Sequence, residues 1–129
     1  MREILTPISP GELLDKLTIL TIKLENITDA AKRANVQIEH DLLSKVADDG
    51  IPKSEQITAL NDALLAVNKE LWDIEDDIRD CERADDFGAE FIRLARAVYV
   101  TNDKRADLKK QINTALGSDI VEEKSYADY

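Results

Sequence analysis

A single cysteine, Cys81, excludes any intramolecular disulfide, and a single histidine, His40, leaves no Cys/His set for a zinc site. Four glycines and three prolines in 129 residues give few places for turns, so the elements must be long. Aromatic residues make up only 5% of the chain. No apolar run is long enough to cross a bilayer, and Met1-Arg2-Glu3-Ile4 does not open a secretory leader. A cytoplasmic protein with no membrane insertion is the expectation. There is no Gly-rich phosphate loop and no Ser, His and Asp set for nucleophilic catalysis. Positive charge is in the minority: 17 Lys and Arg stand against 27 Asp and Glu, a net charge of −10. So acidic a chain repels phosphate backbones and anionic lipids, which argues against nucleic acid as a partner.

What the chain does have is helical periodicity. Hydrophobic residues make up 43% and charged residues 34%, enough for a core and for solvated outer faces. Ser9-Pro10-Gly11-Glu12 reads as an N-cap, a Pro at the first helical position and a capping-box Glu, with Ile8 placed to staple onto Leu13. Apolar or small residues then recur at 13, 17, 20, 24, 27, 31, 34, 38 and 42, the four-and-three spacing of a helix seam. A helix over about 10–47, a rod of about 55 Å, ends at Asp48-Asp49-Gly50 and Pro52. Ser54 caps a second helix over about 54–84, whose seam is Ile57, Leu60, Leu64, Val67, Leu71, Ile74, Ile78 and Cys81. Cys81 packs there as a small hydrophobe. Asp86 caps a third over about 87–116, stopped by Gly117, and Ile120 and Val121 are placed to dock a tail at 118–129. The expected fold is all-α, a coiled-coil-like bundle of three long antiparallel amphipathic helices in one domain over 1–129. The first helix carries a second apolar row, Leu14, Ile19 and Ile22, wider than two neighbours cover, which points to a homodimer.

Candidate site residues come from charges that interrupt this pattern. Thr101 and Arg105 fall on the third seam with Asn102 at its shoulder, and a guanidinium on a core face demands a partner. In the antiparallel register Glu70 and Glu39 are within its reach. The other reading is a pocket for a small anionic ligand, since an Arg fork matches carboxylate and phosphate oxygens. Asn68, Trp72, Glu75 and Arg79 form a row beside the second seam, where Trp72 is either a packing residue or a stacking platform. Glu75 and Arg79, four apart, pair along the helix. Lys16 and Lys23 point the same way from the first helix. The candidate ligand set is therefore Lys16, Lys23, Trp72, Glu75, Arg79, Asn102 and Arg105. Glu70 and Asp73 have an E-x-x-D magnesium spacing without a companion acidic motif, so no metal and no cofactor is expected.

Four segments carry a resemblance: Pro7 to Leu20 with Ile22-Lys23-Leu24-Glu25, Leu71 to Arg79, Tyr99 to Asn113, and Leu116 to Tyr126. Together they resemble a small bacterial family of unknown function, over essentially the whole chain. The resemblance implies an association with glycosyltransferases of surface polysaccharide synthesis and supplies no catalytic residues. The expected role is a non-enzymatic interaction or accessory module, with a protein partner. The alternative rests on likeness to the all-helical chorismate mutases, which interlock three-helix protomers and hold a dicarboxylate with Arg and Lys from several helices. Arg79, Arg105, Lys16 and Lys23 would play that part.

Overall fold

The computed structural model describes residues 2–129. Among them the chain forms four helices and no strand: α1 (Pro10–Asn26), α2 (Ala30–Gly50), α3 (Glu55–Arg83) and α4 (Ala89–Ala115). The long first rod is thus two helices, which corrects the three-helix expectation. The cause is local. The Ile27 N–H closes α1 onto the Lys23 carbonyl at 2.8 Å, and Asp29 turns its carboxylate onto the Lys32 N–H at 2.9 Å. An Asp side chain that caps a new helix competes with continuation of the old one. Arg33 then ties the corner, donating to the Ile27 carbonyl at 3.0 Å and to the Leu24 carbonyl.

After that corner α2 folds back along α1. It touches no other helix, and Ile51 at its end packs on the cluster that holds Leu14, near the start of α1. The reversal sets the direction of everything after it. α1 now lies parallel to α3 and antiparallel to α4, the opposite of the register read from the sequence. It also makes α1 the central helix. Leu13 and Leu20, only 4% and 3% exposed, lie on the side of α1 opposite the one that meets α3 and α4. The other side, Gly11, Asp15, Thr18 and Ile22, faces α3 and α4. The broad apolar surface of α1 is therefore covered within one chain.

The remaining boundaries follow their caps. Ser9 accepts from the Glu12 N–H at 3.2 Å and Ser54 from the Ile57 N–H at 3.1 Å. Glu12 itself turns to Lys109 at 2.5 Å. Asp86 does not cap α4: Gly88 is its N-cap, and Asp86 accepts the Gly88 N–H at 3.1 Å in the tight turn before it. α3 and α4 pair along their length as an antiparallel hairpin. Two cores result. Leu14, Ile57, Leu64 and Ile112 join α1, α3 and α4, whereas Ile74, Cys81 and Leu94 join only α3 and α4. No described helix is long and apolar enough to cross a membrane.

Candidate functional site

Three helices bring polar side chains into the first core. Asp15 of α1 is 1% exposed. Arg105 of α4 grips it with both arms of its fork, Nε to Oδ1 at 2.8 Å and Nη2 to Oδ2 at 2.5 Å. Asn68 of α3 donates through Nδ2 to Asp15 Oδ1 at 2.9 Å and to Thr18 Oγ1 at 2.8 Å. The Thr18 hydroxyl in turn donates to the Asp15 carbonyl at 2.7 Å. One turn earlier the Gly11 N–H donates to Asn113 Oδ1 at 2.8 Å. A Cβ at Gly11 would stand 2.5 Å from the Lys109 carbonyl oxygen, so glycine is what lets α1 sit this close to α4.

The electrostatics explain why a buried carboxylate is tolerated. Burial pushes the Asp15 pKa up, but hydrogen bonds from Arg105 and Asn68, with the charges of Arg105 and Lys109, outweigh it and hold it below the ordinary value. The hydrogen bond to Asp15 raises Arg105 in turn. Lys109 stands among Glu12 at 2.5 Å, Glu122 at 3.0 Å and Asp15 at 3.9 Å. Burial alone would lower its ammonium, and hydrogen bonds to Glu12 and Glu122 reverse that. Asp15 is thus an enclosed acceptor, ionised at neutral pH with its partners in place, which is poorly suited to proton transfer. Burial, then the nearby Asp86 and Glu90, push the Cys81 thiol up, away from the reactive thiolate.

Above the network lies a cleft bounded by α4, by Glu12 and by the C-terminal tail. Of the seven candidate residues only Asn102 and Arg105 line it. Lys16 is half exposed and stands 3.8 Å from Glu12. Trp72 is half-buried on α3, and Glu75 and Arg79 pair with each other on the same helix. Lys23 lies in the last turn of α1. The partner of Arg105 is Asp15, not Glu70 or Glu39, because the corner at Asp29 reverses α1 against α4. Left out of the candidate set were Asp15 and Asn68, which the sequence shows only as polar residues beside the seams, and missed altogether were Thr18, Lys109 and Asn113. A signal did exist: Gly11, Asp15, Thr18 and Ile22 recur at steps of four and three, a second seam beside the apolar one. Among the described residues no three His, Cys, Asp or Glu side chains gather as a metal site.

The tail runs back along α4. Gly117, at φ +63°, makes the reversal. Glu122 then reaches Lys109 at 3.0 Å, Glu123 reaches Lys110 at 3.6 Å, and Lys124 and the Tyr129 hydroxyl both reach Asp103. The Tyr129 ring meets Tyr99 edge-on at 5.3 Å. The tail is not docked through Ile120 and Val121, which stay 44% and 42% exposed; charged side chains hold it instead.

No curated protein and no solved structure matches the chain. A family model matches residues 4–129, nearly the full length, and the chain therefore belongs to that family, a family of unknown function (DUF6165).

Proposed function

We propose that this chain is a non-enzymatic interaction module that works as a homodimer through the outer face of α2. One observation carries the reading. α2 rests only on α1, yet the side turned away from it bears Ile38, Leu42 and Val46 at 61%, 54% and 51% exposure. An apolar row on a helix that its own fold does not cover marks an association surface. A second copy suits it. Ile38 and Val46 are equidistant from Leu42, so an antiparallel pair about a two-fold axis at Leu42 sets each Ile38 against the other copy's Val46. The charges beside the row, Lys32, Glu39, Lys45 and Asp49, are two of each sign. That local balance lets two copies meet without the repulsion that a net charge of −10 imposes elsewhere.

Sedimentation at tens of micromolar tests it: the chain is expected as a dimer, and Leu42→Lys as a folded monomer with an unchanged helical spectrum. A monomeric parent chain at that concentration would overturn the reading. The anionic-ligand alternative has weaker support, since the Arg105 fork is held by Asp15. The polysaccharide setting, as an accessory to cytoplasmic glycosyltransferases, rests on the sequence resemblance. Its test is direct binding between the purified chain and a purified glycosyltransferase of surface polysaccharide synthesis, with no binding counting against it.

A further inference from the structure

The C-terminal tail is held by charged side chains rather than by a buried apolar face. All residues from Asp119 to Tyr129 are exposed, so the tail is attached without burying an apolar side chain. Its attachments are Glu122 on Lys109, Glu123 on Lys110, and Lys124 with Tyr129 on Asp103, with the exposed Tyr129 ring edge-on to Tyr99 at the far end. A segment held by apolar burial leaves only when the fold opens. One held by ion pairs whose tail-side partners face solvent, as Glu122 does at 61% and Glu123 at 72%, leaves when salt or a competing ion screens them, with the fold intact. Lys109 makes this separation possible. It already has Glu12 at 2.5 Å and Asp15 at 3.9 Å, so loss of Glu122 leaves no unpaired ammonium in the core.

We propose that residues 118–129 are a charge-operated latch. Closed, Glu122 and Glu123 occupy Lys109 and Lys110 and wall the cleft. Open, they leave these two lysines, beside Asn102, to an oxyanion group of the same chemistry, a carboxylate or a phosphate. The Glu122 carboxylate sits where that group would bind, and Lys109 holds its pKa below the ordinary value. A short tether presents its carboxylates at an effective concentration on the order of millimolar. A free anion must match that, or arrive with more than one charge, to displace the tail. The root of the latch is the Gly117 reversal, and its far end is the Asp103 contact.

Nitrogen-15 relaxation on the full chain tests both parts. At low ionic strength the amides from Val121 to Tyr129 are expected to be as rigid as those of α4. In about 1 M salt, where the screening length falls to roughly 3 Å, they become mobile while the Leu64 and Ile112 amides hold their shifts. The double variant Glu122→Gln, Glu123→Gln shows the mobile tail at low salt. A tail mobile in the parent chain at low salt, or rigid in the variant, overturns the latch. Inorganic phosphate titrated into the double variant is expected to shift the Lys109 and Lys110 amides at least tenfold below the concentration needed in the parent. Equal concentrations, or no shift in either, overturn the site. Neither result depends on α2, so the dimer and the latch fail independently.

Discussion

Arg105→Met removes the two-armed grip on Asp15 while keeping an apolar side chain of similar length. The Asp15 carboxylate, 1% exposed, then keeps only the Asn68 amide at 2.9 Å and the Lys109 ammonium at 3.9 Å. Breaking one side of a buried pair costs about 3–5 kcal/mol, and these two remaining partners place this case near 3 kcal/mol. Asp15→Leu is milder. Arg105 is 29% exposed and can extend to water, so about 2 kcal/mol is expected. The double variant Asp15→Leu, Arg105→Met replaces an ion pair by apolar contact. It should lie within about 1 kcal/mol of the parent, because a buried pair is commonly near break-even against a hydrophobic one. The assay is urea unfolding followed by far-UV circular dichroism, with midpoints compared only where the slope is unchanged. The signature is a double variant more stable than either single one. Additive losses would refute the pairing, and an Arg105→Met variant as stable as the parent would say that the arginine is held for a ligand rather than for the fold.

Gly11→Ala sets a methyl against the Lys109 carbonyl oxygen and should lower stability by about 1–3 kcal/mol in the same unfolding assay. Asp29→Ala removes the cap of α2 and should cost about 1 kcal/mol; Asp29→Asn, which keeps the oxygen, should recover most of it. Among the described residues Asn61 Oδ1 is buried without a partner, so Asn61→Leu should be neutral or stabilising by up to about 1 kcal/mol, and a clear loss would mean that the amide is bound after all. Asp15 also makes stability pH-dependent. Its folded pKa is below the ordinary 3.8, so its contribution is complete above that value and is lost as pH falls through the folded one. Acid unfolding should therefore be shallower below about pH 4 in Asp15→Asn than in the parent chain.

Helix type and the starts of α1 and α3 were legible because Ser9 and Ser54 cap by local chemistry. The corner at Ile27 to Asp29 was not, because the apolar spacing runs straight through it. Positions 24, 27, 31 and 34 continue the seam, and only the Asp29 side chain breaks it. That one residue reversed the direction of α1 against both α3 and α4, left the α3–α4 pairing as expected, and hid the partner of Arg105. On α3 the plain apolar seam was a partial guide. Leu60, Val67 and Leu71 stay half-buried, while Asn68 at 5% goes fully in. Polar residues at seam spacing on α1, α3 and α4 matched one another in three dimensions, and periodicity counted on apolar residues alone passes over them.

The two cores of the α3–α4 hairpin give the molecule a gradient of opening. Glu25, near the end of α1, reaches Lys69 at 3.6 Å, and α3 continues to Arg83, about 20 Å further on. Over that stretch Ile74, Cys81 and Leu94 have only each other's helices for shelter. Amide protons there should exchange with deuterated water through fraying of the hairpin tip, independently of denaturant at low concentration. Those around Leu64 and Ile112 should wait for the whole chain to unfold. The hairpin tip is thus a separate cooperative unit, able to melt and reform while the Asp15 network remains shut.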